Sequence, residues 1–149
     1  MTTAQLTERE CWRIARLNDA AAFFKAAPQL LAAATHVYLE GSPAPEIVAL
    51  ISRYADPTPY RAPAGTLWSW PRSHRFALKA SPAMLAEFAD AATRHAEPEI
   101  CCHLHFYRDA EPLAHWFDAF DDPLLVSKAI SRELVELFCR ETGGELRDG

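Results

Sequence analysis

The sequence predicts an α+β fold, a two-layer arrangement of a mostly antiparallel sheet of about five strands, two hairpins among them, with helices packed on one face. Three observations predict it. Strand-forming runs occur in adjacent pairs between helical segments, in the order α(α)-β-α-β-β-α-β-β-α, whereas a parallel doubly wound sheet needs a helix between successive strands. Eleven prolines against five glycines do most of the punctuation, cutting the middle of the chain into short segments of alternating hydrophobic period. No Gly-rich strand-to-helix turn is present, which argues against dinucleotide or P-loop binding.

Taken in order, Thr7 and Glu10 have the spacing of a capping box and predict a helix running to Leu17. Asn18 and Asp19 then cap a second helix, Ala20 to Ala27, stopped by Pro28. Thr35 to Glu40 is rich in strand formers and ends at Gly41. Ser42-Pro43 opens a helix with Ile47, Leu50, Ile51 and Tyr54 on one face, followed by a loop to Pro63. Thr66–Trp70 and His74–Lys79 form the earlier hairpin, and Ser81-Pro82 starts a helix that buries Leu85, Phe88, Ala89 and Ala92. Glu99–Tyr107 is the clearest strand, turned by Arg108–Glu111 into a partner from Leu113 to about Phe120. An acidic loop, Asp118 to Pro123, leads to a last helix from Ser131 to Thr142, with Leu134, Leu137 and Phe138 on its buried face and Gly143 as the C′ glycine.

No repeat, low-complexity tract or long linker divides the 149 residues, so one domain, 1–149, is expected, with enough apolar content, 50%, for one core. Fifteen Lys+Arg against 20 Asp+Glu give net −5, without the basic excess of a nucleic-acid binder. The sequence holds no apolar run that would span a membrane and opens on nothing resembling a signal peptide. Its four cysteines are too few for a disulfide scaffold and read as thiols, which points to the cytoplasm.

Strand alternation sorts the hairpins into faces. Pairing Tyr107 with Pro112 and His103 with Trp116 puts Ile100, Cys102, Leu104, Phe106, Leu113, His115 and Phe117 on the core side. The other side gathers Trp68, Trp70, Arg75, His103, His105, Tyr107, Trp116 and Asp118. Three of the four tryptophans beside Arg and His have the composition of a protein-binding surface. The N-terminal helices, carrying Trp12 and Phe23-Phe24, are the alternative cover for that face.

The function expected on this ground is protein binding by a small bacterial-type domain. In its most concrete form it is an immunity-like neutraliser of a basic toxin, whose encounter the net negative charge would speed. A homodimer closed over Trp68, Trp70 and Trp116 is a further reading. The alternative class is a zinc-binding protein or small zinc enzyme, in which Cys101, His103 and His105 on one strand face meet Asp118. Cofactor-free binding is the main expectation. Cysteine catalysis is disfavoured, because adjacent Cys102 and His103 point to opposite faces and nothing orients a His103 facing Cys101.

Overall fold

The computed structural model describes residues 5–60, 62–63 and 74–147. The described residues form four α-helices and seven strands in one antiparallel open sheet of order β3-β2-β4-β5-β6-β1-β7. The strands are β1 (Cys11–Ala15), β2 (His36–Gly41), β3 (His74–Lys79), β4 (His103–Arg108), β5 (Glu111–Trp116), β6 (Leu124–Ser127) and β7 (Glu145–Arg147). The helices are α1 (Ala20–Leu30), α2 (Pro45–Tyr54), α3 (Pro82–Ala91) and α4 (Arg132–Thr142). No described helix is long and apolar enough to cross a membrane.

The α+β class, the antiparallel sheet and the presence of these four helices follow the sequence signals, although α2 begins at Pro45 behind Ala44, which gives no side-chain cap, and not at Ser42-Pro43. Asp19 caps α1 by accepting from the Ala22 N–H at 3.0 Å, Ser81 caps α3 through the Met84 N–H at 3.0 Å, and Ser131 caps α4 through the Leu134 N–H at 3.3 Å. Gly143 closes α4 at φ +79°, in the left-handed region that a side chain disfavours. Gly143→Ala is therefore expected to lower stability by about 1 kcal/mol, read as a shift in the urea midpoint. An unchanged midpoint would contradict that cap.

Several boundaries differ, each for a physical reason. The Thr7–Glu10 capping pair is real, with the Thr7 N–H donating to Glu10 Oε1 at 3.1 Å, but it closes a 3-10 turn at Glu8–Glu10 rather than a long helix. The next five residues, Cys-Trp-Arg-Ile-Ala, become β1 because β6 and β7 flank them on both sides. Pro28 lies inside α1, two residues before its end, and does not stop it: the packing of the buried Phe23, Phe24, Ala26, Ala27 and Leu30 outweighs the hydrogen bond that Pro28 removes. On α4 the buried side chains are Val135 and Phe138, while Leu134 is exposed. β6 and β7 are too short to be conspicuous in the sequence. The earlier hairpin's first strand, Thr66–Trp70, lies outside the described residues, and β3 pairs with β2.

One face of the sheet carries Ile14, Val37, Leu39, Leu78, Leu104, Phe106, Trp116 and Val126, all buried in a single apolar cluster with side chains from every helix. Phe23 of α1 is its hub, with ring centroids 4.7 Å from Trp116, 5.1 Å from Phe24 and 5.9 Å from Phe138. The opposite face carries a different chemistry. There Tyr38, Tyr107 and Ala62 form a separate buried cluster, and Glu40, His103, His105 and His115 are buried polar groups.

Candidate functional site

The character of that second face is decided by one irregularity. Next to the β4–β5 turn Tyr107 faces Pro112, as the sequence predicts. One step further Phe106 faces Ala114, which leaves Leu113 as an extra residue in β5 and shifts the register by one. Beyond this bulge His105 faces His115, and Leu104 faces Trp116. A one-residue shift exchanges the two faces of a strand. Trp116 therefore belongs to the core, fully buried against Phe23 and Phe120, with its indole N–H donating to the Asp122 carbonyl at 2.7 Å. His115, expected in the core, stands among the imidazoles.

The ring nitrogens of this cluster form a defined chain. The Leu6 N–H donates to His115 Nε2 at 3.2 Å, so neutral His115 carries its proton on Nδ1. That proton points to His105 Nδ1, 3.0 Å away, which must accept. His105 then carries its own proton on Nε2, a buried atom without a hydrogen-bond partner. Burial pushes the titration of His115 down to about 4. It pushes His105 well below the ordinary imidazole range, with the neighbouring His115 and His103 adding to the effect. Phe117 covers both rings, at 5.0 Å from His105 and 5.9 Å from His115. Tyr107 packs on His115 at 5.7 Å, and Tyr38 lies 5.2 Å from both Tyr107 and Tyr60.

At one end of the sheet the strands carry a polar row. Arg75 of β3 faces Glu40 of β2, and Glu40 faces His103 of β4. The Asp118 N–H, just after β5, donates to His103 Nδ1 at 3.0 Å. Arg75 is exposed and rests over the Tyr60 ring at 5.9 Å, whereas Glu40 and His103 are buried. Gly41, which follows Glu40, lets the backbone of β2 approach Cys101–Cys102: a Cβ there would stand 2.9 Å from the Cys102 nitrogen. The Cys102 N–H donates to the Glu40 carbonyl at 2.8 Å, and the Ala119 N–H to the Cys102 carbonyl at 2.7 Å.

These contacts frame a cleft of about 350 Å³ between the segment before β4 and the loop after β5. Glu97, Asp118 and Asp121 line it with Asn18, Cys102, Pro98, Ala119 and Phe120, and no Lys or Arg is among the described lining residues. The loop is pinned along its length. Asp118 and Phe120 hold positive φ, at 48° and 75°, and the N–H groups of Asp121 and Asp122 both donate to the Asp118 carbonyl at 3.0 Å.

The expected site residues thus separate. Arg75, His103 and Asp118 share the row at the sheet end; His105 and Tyr107 lie on the same face but sealed; Trp116 is in the core, which also removes it from any dimer seam. Trp68 and Trp70 lie outside the described residues. The zinc set does not converge. Cys101 precedes β4 and its thiol sits in the apolar core, where burial drives its titration far up; Asp118 offers His103 a backbone N–H rather than its carboxylate. Among the described residues no three His, Cys, Asp or Glu side chains stand together as ligands for one metal ion. Cys102 is exposed, but burial, then Glu40 and Asp118, raise its titration and keep it a thiol, the wrong direction for a nucleophile.

Sequence reasoning missed His115, Tyr38 and Tyr60, and took Glu40 for a strand end. The period-2 pattern could have found Tyr38 and Glu40, which alternate with Val37 and Leu39; only the bulge reveals His115. No family model, no curated protein and no solved structure matches this chain.

Proposed function

We propose that this chain is a single protein-binding domain, immunity-like in its mode, which receives a cationic side chain of a basic partner in the acidic cleft at the sheet end. The reading takes the helices as one layer over the apolar face, which leaves the rim by Asp118 for recognition. The observation that carries it is the chemistry of the cleft: exposed Asp118 and Asp121 and half-buried Glu97 stand over apolar Pro98, Ala119 and Phe120. A Lys or Arg side chain has the matching pattern, an alkyl stem ending in a charge. The loop is held by its own hydrogen bonds and by His103, so its carboxylates need little ordering on binding. Net −5 supports the same reading by drawing a basic partner in.

The test neutralises the cleft with near-isosteric changes, Glu97→Gln, Asp118→Asn and Asp121→Asn together; Asn tolerates the left-handed backbone at 118. A control triple, Glu133→Gln, Glu136→Gln and Glu141→Gln, removes the same charge from α4. Binding of a defined Lys/Arg-rich peptide, followed by calorimetry at low salt, is expected to weaken on the order of tenfold in the cleft variant and much less in the control. Equal losses in both, or no binding to the parent chain, would overturn the proposal.

A further inference from the structure

We propose that the His105–His115 pair is an acid-sensitive latch that ties the N-terminal segment to β5 while both rings are neutral and releases it when the pair takes up a proton. His115 must accept the Leu6 N–H on Nε2 and donate through Nδ1, and His105 must accept on Nδ1. An imidazolium has two N–H groups and no lone pair to offer. Protonating His115 sets its Nε2–H against the Leu6 N–H; protonating His105 sets two Nδ1–H groups against each other. Either event breaks the chain, and Leu6, joined to β5 across 109 residues of sequence, is the link that can give way without disturbing the ladder.

The groups around the pair do not compensate a charge. On β4 they are His103 and Tyr107; on β2, Tyr38 stands opposite His105, and Glu40 stands opposite His103, one inward-facing position along. On β6 Leu125 faces His115, the segment after α2 contributes Tyr60 beside Tyr38, and the N-terminal segment brings the Leu6 backbone. Asp118 meets His103, not the pair. Among the described residues no carboxylate offsets the burial of either ring, and both titrate low in the latched state. The sign follows. A ring that binds its proton less readily when latched favours the latched state above its ordinary value of 6.5, and that preference is lost as pH falls from there toward about 4.

The experiment is amide exchange by NMR on the full chain between pH 7 and pH 5, corrected for the intrinsic rate, with the His ring nitrogens followed in parallel. Leu6 is expected to lose protection on the order of tenfold over this range while core-strand amides such as Leu104 keep theirs. In His115→Gln, whose amide oxygen accepts from Leu6 without titrating, the Leu6 response should be flat. Unchanged Leu6 protection, a simultaneous loss at Leu104, or the same response in His115→Gln would overturn the latch. Should that variant not fold, the ring nitrogens of the parent chain decide. The latch requires His115 protonated on Nδ1 and His105 on Nε2 at pH 7; any other tautomer pair refutes it.

Discussion

Trp116→Ala is expected to destabilise the protein by about 3–5 kcal/mol, the range for truncating a large buried aromatic. Two losses combine in it. The cavity would open beneath Phe23 and Phe120, whose centroids lie 4.7 and 4.6 Å from the indole. The Asp122 carbonyl would lose its donor at 2.7 Å, and with it one of the pins on the acidic loop. Trp116→Phe keeps most of the volume and should cost clearly less, so the two variants separate packing from the hydrogen bond. Urea unfolding of both reads the difference. A Trp116→Ala cost below about 1 kcal/mol, the level of an exposed position, would return this residue to the surface where sequence periodicity alone had put it.

Gly41→Ala comes next, with an expected cost of about 1–3 kcal/mol. The added methyl would stand 2.9 Å from the Cys102 nitrogen and 3.2 Å from the Cys101 Cα, both backbone atoms. A backbone held by the Cys102 N–H to Glu40 carbonyl bond at 2.8 Å cannot step aside as a side-chain tip would. The effect should reach the site as well. Moving Cys102 shifts the carbonyl that holds Ala119, so the cationic peptide should bind Gly41→Ala more weakly than the parent. Unaltered stability together with unaltered binding would mean that the strand end yields freely.

Much of the fold was legible because it rests on local chemistry. Caps at Asp19, Ser81 and Ser131, a C′ glycine at 143 and the alternation of Val37 and Leu39 are written within a few residues of where they act. What was not legible depends on distant partners. β1 is a strand because two other strands border it, and its own five residues follow a genuine helix-type cap. The site was half legible. Periodicity places Arg75, His103 and Asp118 on one flank; the register sets Arg75 and His103 in one row with Glu40 between them, and Asp118 meets that row through its backbone N–H to His103. Trp116 and His115 changed places because Leu113 stands out of the ladder, and nothing in Glu111–Trp116 announces a bulge.

β1 borders β6 and β7, the last two strands among the described residues. A nascent polypeptide therefore carries Cys11–Ala15 unpaired through the synthesis of more than a hundred following residues, and closing that loop is an entropic cost local helices do not meet. Folding is expected to finish by capture of the earliest strand between the latest ones, and a ribosome-bound chain stopped before Leu124 would expose an apolar ribbon with no berth.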